Sequence, residues 1–525
     1  MSKIEPDKAQ MRISGAMPAM FSWWTTVLFV AVAVVVCGVW SFSYLLHASK
    51  DQKKRLPPGP TGLPIIGNLH MLGHLPHRTL HSLAQKYGPI MYMRLGMVPT
   101  VIVSSPQAAQ QILKTHDAIF ASRPYTEAGK YLSYNRKGVA FAEHGQYWRD
   151  IRKLCMLELL SNAKIDSFRS MRREELGRLI RSLKDTSDAC AVVDLTDKVG
   201  SLSAGMTCRM VFGKKSMDED YDGRGIIARI HEGMMLAGAF NIADYIPYTG
   251  LLDVQGLTRR MKAFTRFFDD LFERVVDDHI RTREVGHQRD FIDVMLALMA
   301  SNHMEINIDR TNCKAIVMDM LTGAADTSSA VIEWALSELF RHPLVMKKAQ
   351  EELEAVVGMD RIVDESDLVK LEYLEMVVKE TLRLHPVAPL LVPHEAVEDC
   401  VIDGFNIPKK CRVIINAWAI ARNPIAWSNA EEFYPERFDG LDIDVRGRHF
   451  QLIPFGSGRR GCPGIQLGLT VFRLVLAQLV HCFDWELPNG MGPTDLDMTE
   501  KFSLVVPRAN HLLAIPKYRL RDGCL

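Results

Sequence analysis

No cysteine of this chain stands three residues from another; the ten lie at positions 37, 155, 190, 208, 313, 400, 411, 462, 482 and 524. That scatter excludes a zinc ribbon and a small disulfide scaffold, and most of these thiols read as small core hydrophobes. N-x-S/T sequons are missing as well, which fits a reducing, cytosolic setting. Charge of one sign is not in excess: 63 basic residues face 62 acidic ones, so nothing marks nucleic acid as a partner. Internal repeats and low-complexity blocks are absent too. What the chain has is length, 525 residues, and a 47% hydrophobic composition. The length alone favours two or more domains, and the composition suits a globular chain with one extra apolar element.

That element lies near the start. Between Arg12 and Lys50 there is no formal charge, and Phe21 to Leu46 is almost continuously apolar. A helix of that length spans ~39 Å, enough to cross a bilayer with some tilt. Trp23 and Trp24 at one end and Trp40 and Tyr44 at the other suit interfacial belts. A cleaved secretory signal is the alternative, but the run exceeds a signal core and no small-residue site closes it. Lys50, Lys53, Lys54 and Arg55 follow the span, so the positive-inside rule leaves the bulk of the chain in the cytosol. No later stretch reads as long and apolar enough to span again. Leu56-Pro57-Pro58-Gly59-Pro60 then reads as a stiff hinge, because proline fixes φ and removes donors. The expected organisation is a tail over 1–20, an anchor over 21–46, a basic and proline-rich hinge over 47–64 and one catalytic domain over 65–525.

Within 65–525, strand-like runs separated by Gly96 and Pro99 occupy Tyr87 to Pro106. Helical periodicity follows in Ala163 to Leu183, Thr258 to Glu284, Thr311 to Arg341 and Leu344 to Val357, and strand signals return at Glu398 to Ile415 and Phe502 to Ile515. The expected fold class is mainly α with a small β region assembled from distant segments.

One cysteine differs from the other nine. Cys462 sits in Phe455-Gly456-Ser457-Gly458-Arg459-Arg460-Gly461-Cys462-Pro463-Gly464, just before an apolar run. Glycines such as Gly456 and Gly464 let backbone approach a flat ligand, and nearby cations and amides favour a thiolate, the form that binds metal. Alone, the loop is equally compatible with a turn around a buried structural cysteine. Trp148 and Arg152 are four apart and share one helix face, suited to carboxylates or to a cation–π contact. Gly323-Ala324-Ala325-Asp326-Thr327-Ser328 lies inside a long helix, where such residues weaken the helix and favour a local opening. Glu380 and Arg383, three apart, by themselves suggest a surface ion pair.

Together these segments resemble the cytochrome P450 superfamily, in family order. The Cys462 loop matches F-x-x-G-x-R-x-C-x-G; the others match W-x-x-x-R, the oxygen-binding helix motif, E-x-x-R, and P-E-R-F at Pro435-Glu436-Arg437-Phe438. The likeness runs over nearly the whole chain and points to the plant microsomal group that makes specialised metabolites (class II, A-type); Asp244-Tyr245-Ile246-Pro247 and Phe455 to Gly468 fit that group. The resemblance implies a haem b with Cys462 as axial iron ligand, Arg460, Trp148 and Arg152 on its propionates, and Phe455 shielding the sulfur. It implies Thr327 and Asp326 as the groups handling dioxygen and protons, with Ala324 standing where glycine is usual. Glu380, Arg383 and Arg437 would form a buried structural triad. His394 falls where relatives often carry a propionate-binding arginine.

The implied activity is insertion of one oxygen atom from O2 into a small hydrophobic terpenoid or phenolic. Electrons would come from NADPH through a membrane-bound reductase, docked at a basic face including Arg149, Lys153 and Arg459. The implied place is the endoplasmic reticulum membrane, with the catalytic domain cytosolic. The pocket walls expected from the resemblance are Arg123 to Phe141, part of Met234 to Ile246, Met320 to Thr327, Val387 to Pro393 and Ser503 to Val506. Two rivals are an O2-independent isomerase or dehydratase of the same fold, and a non-catalytic haem or lipid carrier. Thr327 and an uninterrupted cysteine loop argue against the first; the Asp326–Thr327 pair argues against the second.

Overall fold

A computed structural model describes residues 55–213, 223–247, 249–281, 290–300 and 308–521, with isolated positions 27, 30, 31 and 38. The expected anchor over 21–46 therefore lies outside the described residues, apart from those four helical positions. The chain divides into two units, Met1–Leu56 and Pro57–Leu525. The second unit begins inside the proline-rich segment. The Pro58 carbonyl accepts from the Tyr92 N–H (2.9 Å), so the chain docks on the first strand from there.

The long helices of the second unit are α1 (Pro76–Tyr87), α2 (Gln146–Leu154), α3 (Arg169–Asp188), α4 (Leu195–Phe212), α5 (Gly223–Gly238) and α6 (Leu257–Arg281). They continue with α7 (Phe291–Ala300), α8 (Arg310–Arg341), α9 (Pro343–Val357), α10 (Glu372–Leu384) and α11 (Ile465–Cys482). The strands are β1 (Ile90–Leu95), β2 (Val98–Val103), β3 (Val193–Asp194), β4 (His394–Glu395), β5 (Cys400–Ile402), β6 (Phe405–Ile407), β7 (Arg412–Ile415), β8 (Phe483–Glu486) and β9 (Leu513–Tyr518).

The main sheet runs β1-β2-β7-β4. β1 and β2 form an antiparallel hairpin with Leu95 opposite Val98, and β2 pairs in parallel with β7 from Thr100 and Arg412 onward. Gly96 makes the hairpin turn with φ +61°, and a Cβ there would lie 2.5 Å from the Tyr245 carbonyl. Glycine is needed twice over, for the left-handed backbone and for the close approach. Phe502 to Leu512 carries no strand, against the sequence expectation. Leu504 and Val505 line the principal cavity, the Val506 carbonyl accepts from Trp334 of α8 and Phe502 stacks on His77; apart from an isolated bridge between Arg508 and Glu500, β structure begins at Leu513. Likewise Phe168 splits the expected 163–183 helix into two pieces.

α8 is the axis of the helical core. Asp309 caps it, its carboxylate accepting from the Asn312 N–H while the Asn312 side chain accepts from the Asp309 N–H. Such a reciprocal box satisfies donors that the first helical turn leaves open. Pro343 ends it, since the residue before a proline leaves the helical region. α8 and α11 are both long and apolar enough to cross a bilayer, contrary to the sequence expectation for later segments. Their apolar spans are 61% and 72% buried inside the folded unit, so both are core helices, apolar because protein surrounds them.

Candidate active site

A cavity of about 360 Å³ lies between α8 and the loop that carries Cys462. Its shape follows from that loop. Glycines at 456 and 458 have φ of +69° and +67°, and the Cys462 N–H donates to the Phe455 carbonyl (2.9 Å), closing the loop under the sulfur. A Cβ on Gly458 would lie 2.2 Å from the Leu113 carbonyl. Gly458→Ala is therefore expected to cost about 1–3 kcal/mol through left-handed strain and displacement of that backbone. Thermal unfolding of the purified holoprotein measures it.

The Cys462 side chain lines this cavity and is exposed. Burial pushes its thiol up, while the Gly464 N–H and then the Arg152 guanidinium pull it down. Ala324, Gly323 and Thr327 of α8 line the same cavity, and a Cβ on Gly323 would meet nothing within 4 Å. The helix does not open at this point: it is α-helical throughout, and the Thr327 hydroxyl donates back to the Gly323 carbonyl (2.8 Å). The expected break is absent because that back-bond, together with the Ser203 hydroxyl on the Ala325 carbonyl (2.7 Å), accommodates the polar groups within a regular helix.

Three guanidiniums converge on the cavity wall: Arg123, Arg152 and Arg460. Arg460 donates to the carbonyls of Ala121, Val139 (3.2 Å) and Ala142 (2.6 Å) and stacks on Trp148 at 4.0 Å. Arg123 donates to Ala140 (3.2 Å) and Pro393 (2.9 Å), and Arg152 to Gly461 (2.7 Å). Among the described residues, no carboxylate pairs with any of the three. Burial, then their mutual repulsion, pulls Arg460 down to about 8 and Arg123 down to about 9. A cluster of cations without a counter-charge is costly unless an anion joins it, so this wall fits a ligand with carboxylates. Trp148 contributes as a stacking platform, its indole N–H being taken by the Val139 carbonyl (3.1 Å).

Sequence reasoning placed His394 here and gave Arg123 only as one end of an expected pocket wall, not as a cation for an anionic ligand. His394 is fully buried, and burial followed by the Arg123 charge pulls it down to about 3, so the ring is neutral. Its Nδ1 faces the Phe120 carbonyl (2.8 Å) and must carry the proton, which leaves Nε2 an acceptor only. The donor that this ring does not offer an anion is supplied beside it by Arg123. Nothing in the sequence around Arg123 marks it, since its neighbours come from segments far along the chain.

Asp319 was missed. Its carboxylate accepts from the Ala140 N–H (3.0 Å), and Gly138 allows the approach, because a Cβ there would lie 2.4 Å from the Asp319 oxygen. This clamp holds the turn whose carbonyls bind Arg460, Arg123 and Trp148. Of the remaining predicted groups, Phe455 and Gly456 line the cavity, Gly464 reaches the sulfur, and Asp326 faces a second cavity instead. Arg459 is held by Asp117 (2.8 Å) and Arg149 by Gln146 (2.7 Å).

The buried triad is present. Glu380 receives two bonds from Arg383 (2.7 and 2.8 Å) and one from Arg437 (2.9 Å), with the Tyr434 N–H as a fourth donor (2.8 Å).

The rest of the wall is apolar. The expected segments contribute, and α4, α6 and α7 add Met206, Met210, Phe264 and Phe291, which the sequence did not indicate. Asp319 is the one carboxylate in this lining, and it is already occupied.

The cytochrome P450 family model matches residues 57–514. The chain is 58% identical over 473 residues to cytochrome P450 CYP736A12 of Panax ginseng, covering 89% of this chain and 94% of that one. It is 41% identical over 484 residues to desmethyl-deoxy-podophyllotoxin synthase of Sinopodophyllum hexandrum, covering 90% and 94%. It is 41% identical over 486 residues to premnaspirodiene oxygenase of Hyoscyamus muticus, covering 90% and 96%.

Proposed function

The chain belongs to the cytochrome P450 family and is a haem-dependent monooxygenase; from that premise we propose that it oxygenates a small hydrophobic terpenoid or phenolic of plant specialised metabolism. The observation that carries the reading is the cavity itself: a thiol on one wall, three guanidiniums lacking a counter-charge beside it, and apolar side chains elsewhere.

Bound haem supplies the activation of dioxygen, a thiolate ligand favouring cleavage of the O–O bond. Cys462 holds the iron as that thiolate, with the Gly464 N–H and Arg152 stabilising its charge. Arg460, Arg123 and Arg152 take the propionates, and Trp148 fixes two of these guanidiniums by stacking. Phe455 and Gly456 shield and cradle the sulfur side, while His394 packs as a neutral ring. Thr327 presents a hydroxyl on the opposite wall, and Asp326 backs it as the proton reservoir. Met206, Met210, Met234, Phe141, Phe264 and Phe291 exclude water and orient an uncharged substrate. Electrons come from NADPH through a cytochrome P450 reductase. The N-terminal residues 21–46 serve as an anchor in the endoplasmic reticulum membrane, after a tail over 1–20 and before a hinge over 47–64, with the domain in the cytosol.

Arg123→Ala is expected to weaken haem retention roughly 10–100-fold, the scale seen when groups orienting a metal site are lost. Haem transfer to apomyoglobin measures it. Two experiments test the function as a whole. A reduced carbon-monoxide difference spectrum without a red-shifted Soret band would refute thiolate ligation. Reductase-coupled turnover of terpenoid and phenolic libraries should give products carrying one oxygen atom from isotopically labelled dioxygen; rearranged or dehydrated products without label would point to the O2-independent chemistry.

A further inference from the structure

Asp326 and Thr327 are consecutive on α8, about 100° apart around the helix, and face different cavities. Thr327 lines the principal cavity. Asp326 lines a second one, of about 190 Å³, bounded by α4, α5, α8 and the 501–507 segment. Met234 and Val505 line both cavities and pack with Ala330, forming an apolar wall between them.

In the second cavity, Asp326 Oδ2 lies 3.2 Å from Nδ1 of His231 on α5. The His231 side chain is 51% exposed and that of Asp326 19%, so one partner meets solvent and the other is mostly enclosed. The Ser329 hydroxyl donates to the Asp326 carbonyl (3.1 Å) and the Ser203 hydroxyl to that of Ala325, which fixes this turn of α8. Among the described residues lining the principal cavity, Asp319 is the one carboxylate, and it accepts from the Ala140 N–H.

We propose that His231 is the residue that passes solvent protons to Asp326, and that the second cavity is their point of entry. The inference rests on the monooxygenase reading above, which gives Asp326 and Thr327 their proton-handling role. In the step, the His231 imidazolium N–H bond breaks, an O–H bond forms on Asp326, and water in the second cavity re-protonates the ring; no electrons move. The charged groups that line the second cavity with His231 are Asp326 and Glu333 of α8, Asp197 of α4 and Lys501 of the C-terminal segment; Asp326 and Lys501 act on the ring. The hydrogen bond to Asp326 is the leading effect and raises His231, against burial and the Lys501 charge, so the ring stays cationic to higher pH than a free histidine. The rate of the proton-dependent step accordingly falls as pH rises through that raised value.

The test uses full-length holoenzyme coupled to reductase, with NADPH oxidation followed in H2O and D2O across pH and hydrogen peroxide measured per NADPH consumed. His231→Ala and His231→Gln should leave the carbon-monoxide spectrum and haem content unchanged. Both should raise peroxide per NADPH by at least about threefold, enlarge the solvent isotope effect and remove the His231 pH dependence. Wild-type values in both variants overturn the proposal. A normal glutamine variant beside an impaired alanine variant overturns it too, because a hydrogen bond without a transferable proton would then suffice. A wild-type protein with no red-shifted band and no NADPH oxidation instead refutes the monooxygenase reading, and this inference with it.

Discussion

Cys462→Ser is expected to abolish the red-shifted carbon-monoxide band and lower NADPH-dependent turnover by on the order of 10³-fold or more, ~4 kcal/mol of barrier. The local electrostatics explain why no other residue can stand in. Burial pushes the Cys462 thiol up, and the Gly464 N–H and Arg152 offset that only in part. On the proposed ligation, a bound iron would supply the remaining positive charge, since a coordinating thiol is deprotonated by the ion it binds. A serine hydroxyl, far less acidic, stays protonated in the same setting and is a poor ligand. Haem can still enter, because the arginine wall is untouched. The variant should therefore separate cofactor retention from activity: bound haem by absorbance, no red-shifted band, and no product.

Glu380→Ala is expected to cost about 3–5 kcal/mol, enough to leave little soluble holoprotein. The side chains of Glu380 and Arg383 are fully buried, and that of Arg437 nearly so. Removing the carboxylate leaves two buried guanidiniums facing each other with only carbonyls for partners, those of Ala421, Ala430 and Glu432 on Arg383 and of Ser428, Asn429 and Glu432 on Arg437. These carbonyls lie in the 421–432 segment upstream of the Cys462 loop, so haem insertion should fail together with stability. Glu380→Gln keeps two acceptor lone pairs but loses the charge, and should fall between wild type and alanine. Urea unfolding and haem content per polypeptide measure both variants; an alanine variant of wild-type stability would show that the triad does not hold the core.

The two predictions differ in how far the sequence foresaw them. Cys462 was legible because its loop is local: glycines at positive φ, a sulfur and its amide donor all lie within ten residues. The Glu380–Arg383 spacing, read locally, suggested a surface pair; only Arg437, 54 residues beyond Arg383, and the surrounding carbonyls make it buried. The neutral state of His394 and the role of Arg123 were not legible at all. Both depend on which backbone groups from 120, 140 and 393 fold against each other, and no periodicity encodes that.

Helices α8 and α11 make the same point about composition. The sequence expectation was that neither could cross a bilayer, yet by length and composition both could, and 61% and 72% of their apolar spans are buried in the folded unit, because a mostly buried helix asks for the same residues as a membrane span. The sequence by itself determined the fold class and the type of reaction, and it pointed to Cys462 as the ligand to test, since these signals reside in short motifs whose geometry is set within a few turns of chain. The tertiary structure decided which charges lose their partners, which carboxylate is occupied, and that Asp326 and Thr327, adjacent in sequence, look into separate cavities. Those facts arise where distant segments exclude water together, and the energy of a charged group depends on that exclusion more than on its neighbours in the chain.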